Sequence, residues 1–422
     1  MNRATKKVVL VGQGYVGLPL AMRAVEVGYE VVGIDADSSR VKRLGIGDSF
    51  VEDVPAPRLQ AALNSGRYRP TEDFSDASGF DVCVITVPTP LRDGVPDISY
   101  IEQAGESIAP HITPGCTVVL ESTTYPGTTE DVLRPLLEGG SGLHAPEDFY
   151  LGYSPERIDP GNAVWRLENT PKIVAGIDGP SLDQVRNFYG SLVEHTVPVS
   201  STRTAELTKL FENTFRHINI ALVNELAVVA GQLGVNVREA IGAAASKPFG
   251  FMPFAPGPGV GGHCLPIDPS YLSWQVKRTL GHRFRFIELA NDVNESMPHY
   301  VVQRLTLGLN ARQKPVRGSR VLLLGLAYKK NVGDLRESPA MVVADGLCRL
   351  GAQVHAVEPY AAPYAAAGGA RLVELTGDEV TAADAVVVLT DHDVFDYDLV
   401  RQHASYVFDT RARCSGSNVE QL

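Results

Sequence analysis

Cys264 lies in the run Ala255-Pro-Gly-Pro-Gly-Val-Gly-Gly-His-Cys-Leu-Pro-Ile-Asp268. Four glycines and two prolines crowd positions 256–262, which makes a poor helix and a poor strand. A loop of this composition can bring bare backbone N–H groups close to a ligand. A thiol at its end, with His263 beside it and Asp268 four residues on, has the setting of an activated nucleophile. A lone cysteine is more often a buried structural residue. That reading suits Cys83, Cys116, Cys348 and Cys414; the surrounding glycines argue against it at Cys264.

A second constellation lies near the N-terminus. Lys6-Lys-Val-Val-Leu-Val-Gly12-Gln-Gly14-Tyr-Val-Gly17 is an apolar strand running into G-x-G-x-x-G. Pro19 and Gly28 bracket the helix expected next. Glu30-Val-Val-Gly-Ile-Asp35 is a second strand ending on an acid, 18 residues past Gly17. There a carboxylate would bond the adenosine ribose hydroxyls and repel a 2′-phosphate, which favours NAD over NADP. The alternative, a glycine-rich turn in another α/β fold, would not need strand, helix and acid in this register.

These residues need a scaffold, and 422 residues are enough for two or three domains. A net charge of −11 argues against a nucleic-acid surface, and no apolar run reaches membrane-spanning length. No signal-peptide pattern precedes the first strand and no C-x-x-C pairs the five cysteines, so a reducing, cytoplasmic setting and no metal are expected. Strands alternate with helices from residue 6 to about 195, and the runs Phe80–Pro88 and Thr117–Thr123 read as buried parallel strands. The pattern turns helical at about 200–305, with one long helix over Thr204–Leu233. From about 315 the first unit is echoed: Arg320-Val-Leu-Leu-Leu-Gly325 repeats Lys7–Gly12, Gln353–Glu358 repeats Glu30–Asp35, and Ala383–Thr390 repeats Asp81–Val87. The expected fold is therefore α/β, with two Rossmann-like doubly wound domains (1–199 and 315–422) joined by a long helix and a helical central domain (200–305).

The second copy lacks the later glycines of the fingerprint. Lys329, Lys330 and Arg336 stand there instead, either as a phosphate site built from side-chain cations or as a solvated basic turn. Glu206, Lys209, Asn213 and Arg216 share one face of the long helix, the spacing of an ordinary wet face. Tyr153-Ser-Pro-Glu156-Arg157-Ile-Asp-Pro160 is either a surface turn or a substrate loop at a domain junction.

Taken together, Gly-Gly-His-Cys264-Leu-Pro-Ile-Asp268, Lys209-Leu-Phe-Glu-Asn213, Ser154-Pro-Glu-Arg157, and Gly325-Leu-Ala-Tyr-Lys329 with Leu335-Arg-Glu-Ser-Pro339 resemble the UDP-glucose/GDP-mannose dehydrogenase family. The resemblance spans Val8 to about Arg411. It implies an NAD-dependent oxidation of the C6 alcohol of a UDP-sugar to the acid, in polysaccharide biosynthesis, through a thiohemiacetal and a thioester on Cys264. By the same resemblance, Lys209 and Asn213 stabilise the oxyanion, Asp268 assists proton transfer through water, Glu156 is the base for hydrolysis, and Thr123 lies near the nicotinamide. NAD would meet Gly12, Gly14, Tyr15, Val16, Gly17, Asp35, Arg40, Pro88, Thr89, Thr123 and Arg336. The UDP-sugar would meet Glu156, Arg157, Ile158, Lys209, Asn213, Arg216, Phe254, Gly261, Tyr328, Lys329 and Arg411.

His263 before Cys264, and Pro160 where UDP-glucose enzymes carry a second acid, resemble the N-acetylhexosamine branch. Lys247-Pro-Phe-Gly-Phe-Met-Pro-Phe254 replaces the His-x-Arg of UDP-N-acetylmannosamine enzymes and is similar to the UDP-N-acetylglucosamine 6-dehydrogenases. The long helix, too apolar to be covered by one small helical segment, implies a homodimer or a higher homo-oligomer. Two readings of other kinds compete: a single-step dehydrogenase that tolerates Cys264→Ala, and a UDP-sugar-binding protein without turnover.

Overall fold

The computed structural model describes residues 6–159, 162, 164–262, 265–361 and 368–422. His263, Cys264 and Pro160 lie outside the described residues. The chain divides into two units, residues 1–212 with 270–275 and residues 213–269 with 276–422.

The first unit is built on β1 (Lys7–Val11), β2 (Glu30–Ile34), β3 (Tyr68–Thr71), β4 (Val82–Ile85), β7 (Thr117–Leu120), β8 (Tyr150–Tyr153), β9 (Lys172–Gly176) and β10 (Thr196–Pro198); β5 (Leu91–Arg92) and β6 (Val95–Pro96) form a separate small hairpin. The sheet order is β3-β2-β1-β4-β7-β8-β9-β10, and only the β8–β9 pairing is antiparallel. Alternation along β1 explains the two cores. Val8 and Leu10 face one, with Val31 and Val84; Val9 and Val11 face the other, with Val32 and Ile85. Both faces are buried, so the strands read as continuous apolar runs rather than alternating ones.

In the second unit β11 (Arg320–Leu324), β12 (Gln353–Val357), β13 (Arg371–Leu372), β14 (Ala385–Val388), β15 (Val407–Asp409) and β16 (Val419–Gln421) form an all-parallel sheet in the order β13-β12-β11-β14-β15-β16. This is the strand order of β3-β2-β1-β4-β7-β8 repeated, the order of doubly wound nucleotide-binding sheets. Helix Arg285–Ala311 lays Met297, Val301, Leu305 and Leu309 on one face of this core. The expected α/β class, with a helical region between two such sheets, is the fold observed.

Thr202–Leu233 is a single helix of 32 residues, about 48 Å long. It starts two residues earlier than the sequence pattern suggests, because Thr202 is fully buried and its hydroxyl bonds Glu130. Among the described residues no helix is long and apolar enough to cross a membrane, and no group of His, Cys, Asp and Glu could hold a metal ion.

Candidate active site

The first functional turn follows β1. Gly12 adopts φ +95°, and its N–H bonds the Ile34 carbonyl at 2.7 Å. A side chain there would strike the Thr86 carbonyl at 2.7 Å, and one at Gly17 would strike the Gly12 carbonyl at 1.9 Å. Thr86 ties the turn down by donating its hydroxyl to the Gly12 carbonyl at 2.9 Å. Gly14 is different: nothing lies within 4 Å of a Cβ built on it. At the end of β2 Asp35 accepts the Gln13 N–H on Oδ2 at 2.8 Å and the Asp37 N–H on Oδ1 at 2.9 Å, with Arg40 3.7 Å away. Tyr15 is exposed and Val16 is the residue before helix Gly17–Glu26. Pro88 and Thr89 follow β4, where the Thr89 carbonyl accepts the Tyr271 hydroxyl at 3.0 Å. Thr123 is half-buried on the turn after β7.

β8 delivers the Ser154-Pro-Glu-Arg157 turn in the same unit. Ser154 is fully buried and donates to the Ile173 carbonyl at 2.7 Å, which anchors the turn on β9. Glu156 accepts the Ile158 N–H at 2.5 Å and faces Lys172 at 3.6 Å. The Lys209 ammonium donates to the Glu156 backbone carbonyl. Glu156, Ile158 and Lys209 are thus brought together. Arg157 is already engaged: its guanidinium bonds Glu212 twice, at 2.6 and 3.2 Å, and the Pro171 carbonyl at 2.6 Å. Glu206 departs from the wet face expected of it. It is fully buried and accepts from the Gly127 and Thr129 N–H groups at 2.5 and 2.9 Å.

In the second unit the Asn213 carboxamide donates to the Asp268 carboxylate at 2.5 Å, and both are buried. Asp268 opens helix Asp268–Leu280, where the helix N-terminus favours its charge. The glycine-rich loop that precedes it is seated on protein. Arg238 donates to the Pro256 carbonyl at 3.0 Å and the Thr410 carbonyl at 2.7 Å. The Gly257 N–H bonds the Asn224 side chain at 2.9 Å, and a Cβ on Gly257 would meet Arg411 at 2.7 Å. Gly261 and Gly262 lie against Tyr328, and the Gly262 N–H bonds the Arg336 carbonyl at 3.2 Å. These glycines serve close backbone packing against side chains of the same unit, where the sequence pointed to close approach by a ligand. Phe254 stacks edge-on against Phe215 at 5.9 Å. Arg216 is exposed, Lys329 is half-buried, and Arg336 forks onto Asp334 at 2.6 and 2.9 Å. Arg411 donates to the Leu389 carbonyl at 2.8 Å; burial lowers its pKa, against the pull of Asp391.

Three family models match in sequence: the UDP-glucose/GDP-mannose dehydrogenase NAD-binding domain over residues 6–193, the central domain over 203–296 and the UDP-binding domain over 322–415. The chain belongs to the UDP-glucose/GDP-mannose dehydrogenase family. It is an NAD-dependent nucleotide-sugar dehydrogenase. The UDP-N-acetyl-D-mannosamine dehydrogenase of Pyrococcus horikoshii is 37% identical over 394 residues, 92% of this chain and 90% of that protein. The UDP-N-acetyl-D-glucosamine 6-dehydrogenase of Pseudomonas aeruginosa is 38% identical over 358 residues, 84% of this chain and 83% of that one. The solved structure of the P. horikoshii UDP-D-ManNAc dehydrogenase superposes with a TM-score of 0.89 at 33% identity, covering 98% of each chain.

The turn after β1 fits the cofactor of this dehydrogenase family. Gly12 and Gly17 are closed against protein while Gly14 stays open, which leaves backbone for a pyrophosphate to approach. Each Asp35 oxygen accepts one backbone N–H and keeps a lone pair for a ribose hydroxyl. Four residues around the two half-sites escaped the sequence reading: Glu121, Lys172, Asn224 and Arg238. Only Lys172 carried a local signal, a lysine opening the otherwise apolar strand Lys172–Gly176 whose every residue is buried. Arg238 reaches a carbonyl 172 positions away, which no local pattern encodes.

Proposed function

We propose that this dehydrogenase oxidises the C6 hydroxyl of UDP-N-acetylglucosamine to the uronic acid, consuming two NAD per sugar. The observation that carries the chemistry is the buried Asn213–Asp268 contact, whose Asp268 lies four residues after Cys264 in sequence. NAD supplies the hydride acceptor in each oxidation, first from alcohol to aldehyde and then to the acid level. The Cys264 thiolate adds to the aldehyde as a thiohemiacetal and carries the acyl group as a thioester. Lys209 and Asn213, one helical turn apart on Thr202–Leu233, present N–H donors to the developing oxyanion. Asp268 passes a proton through water. Glu156 takes the proton of the water that splits the thioester, and the thiolate is restored as the acid leaves. Thr123, on the turn after β7, would stand beside the nicotinamide and that water when NAD is bound. Tyr328, Lys329 and Arg411 serve the UDP end.

Support for the glucosamine sugar is the segment Lys247–Phe254, which lacks His-x-Arg and exposes Phe249, Phe251 and Met252 as apolar surface for an acetamido methyl. Support for a homodimer is a stripe of exposed apolar residues on the long helix: Leu207, Phe211, Phe215, Leu222, Leu226, Val229 and Leu233. They recur at helical spacing within one face roughly 100° wide, the width of a packing stripe.

The test is a panel of UDP-N-acetylglucosamine, UDP-N-acetylgalactosamine, UDP-N-acetylmannosamine and UDP-glucose, with NADH counted against product mass. The expected outcome is the highest kcat/KM for the first, with two NADH per uronic acid. Preference for the mannosamine or for UDP-glucose would overturn the sugar assignment. One NADH with free aldehyde as the end product would overturn the thioester route.

A further inference from the structure

Beneath the Ser154-Pro-Glu turn lies a cluster of ionisable groups that the chemistry above does not use. Glu121, at the end of β7, is completely buried. One of its oxygens receives the Lys172 ammonium, and the other receives the Tyr189 hydroxyl from helix Gly179–Leu192. Lys172 has its side chain 4% exposed, lies 5.1 Å over the Tyr189 ring, and reaches on to Glu156 at 3.6 Å. Two carboxylates therefore share one ammonium, Glu121 fully buried and Glu156 with 13% of its side chain exposed. The charged and titratable groups facing Glu156 are Lys172 from β9, Glu121 from β7, Lys209 from the long helix, and Tyr189 behind Lys172.

We propose that Lys172 is a positioning residue for Glu156, holding that carboxylate ionised and aimed, while Glu121 anchors the ammonium from the other side. This rests on the reading of Glu156 as the base for thioester hydrolysis. The electrostatics run the same way. Burial pushes Glu121 up to about 7, aided by Glu156 and opposed by Lys172. Burial also acts to raise Glu156, but Lys172 and Lys209 outweigh it and leave that carboxyl below its usual range. Burial opposes the charge on Lys172, yet the two carboxylates hold its pKa above the ordinary value. The shared ammonium thus meets two carboxyls of opposed proton affinity, with Glu156 the one held ionised.

The experiment compares Lys172→Met, Lys172→Arg and Glu121→Gln in the full chain, with NAD and the UDP-sugar turned over best in the panel. The acid limb of kcat against pH reports the protonation of Glu156. Without the ammonium, Glu156 should be harder to ionise, so in Lys172→Met that limb moves up by about 1 to 3 pH units. At neutral pH its kcat falls through the lost aim of Glu156, and more steeply below about pH 6, while KM for the sugar holds. Lys172→Arg should restore the limb. Glu121→Gln keeps Lys172 and a neutral hydrogen-bonding group beside Glu156, so the limb should stay where it is in the wild type. A merely structural role would lower the melting temperature of all three and leave the limb in place, and that result overturns the proposal. Should Lys172→Met fail to fold, Lys172→Gln, equally uncharged, should show the same upward shift against an unmoved Lys172→Arg. Glu156→Gln separates the two layers. If it stalls after a burst of NADH with a thioester trapped on the enzyme, the base assignment stands and the limb decides the role of Lys172. Steady turnover by Glu156→Gln would sink the base assignment itself.

Discussion

Gly262→Ala should cripple the enzyme through two added strains in the loop that ends in Cys264. Gly262 has φ +86°, where an L-residue costs about 1 to 2 kcal/mol. Its Cβ would stand 2.7 Å from one Tyr328 ring carbon and 3.0 Å from two others. Carbon atoms rest at roughly 3.5 to 4.0 Å, so loop or ring must give way by about 1 Å. Overpacking of this kind costs about 1 to 3 kcal/mol, for a total of roughly 2 to 5 kcal/mol. Cys264 is two residues on, and a displacement of about 1 Å at a reacting group costs on the order of 10²-fold in rate. The assay is kcat/KM for the UDP-sugar by NADH release, with NAD affinity by calorimetry and thermal melting alongside. NAD affinity should hold, since the turn after β1 is untouched. Adding Tyr328→Ala should return the steric part of the lost stability and leave the part due to φ. A Gly262→Ala enzyme with wild-type kcat/KM and melting temperature would refute the account of the loop as packed against Tyr328.

Asp35→Ala should narrow the preference for NAD over NADP, because it removes a charge that repels a 2′-phosphate and leaves Arg40, now 3.7 Å from that carboxylate, to meet it; an unchanged ratio of kcat/KM values would place the ribose elsewhere. Leu226→Glu puts a charge in the middle of the exposed apolar stripe and should shift the mass in solution toward monomer, whereas a monomeric wild-type enzyme would remove the stripe's assigned purpose. Glu358 accepts the Leu326 and Ala327 N–H groups at 2.7 and 2.9 Å, and His392 lies at 3.1 Å. His392 Nδ1 accepts the Asn331 N–H, so Nε2 carries the proton given to Glu358. Burial pushes this carboxyl up, but His392 and the backbone donors win and hold its pKa down. A depressed carboxylate contributes stability above its unfolded pKa of about 4.3 and loses it as pH falls through the folded value. Glu358→Gln should therefore cost about 1.5 to 3 kcal/mol in chemical denaturation at pH 7, and the gap should close in acid; a gap independent of pH would rule out the ionised form.

Much of this protein was legible in one dimension because its signals are local. Strands buried on both faces read as continuous apolar runs, a glycine at φ +95° follows β1, and Asp35 comes at the distance that one helix and one strand impose. The repeat of Gly12 and Asp35 as Gly325 and Glu358 could be read as strings, and the two sheets repeat the same strand order. Chemical identity was legible too, since thiol, amide, amine and carboxylate are recognisable by type and spacing.

What neighbours each group was decided only by the tertiary structure. A glycine does not say whether its missing side chain makes room for a ligand or for protein. Gly14 is open, while Gly257, Gly261 and Gly262 lie against Arg411 and Tyr328, which are distant in sequence. Arg157 read as a free cation near the sugar, and folding spent its fork on Glu212 and the Pro171 carbonyl. Glu206 read as solvated, and folding buried it under two backbone N–H groups. Lys172 meets Glu121 across 51 positions, and Lys209 meets Glu156 across 53. Burial, and with it the proton affinity of each buried group, depends on what the chain brings back from such distances, and no local pattern in the sequence carries that information.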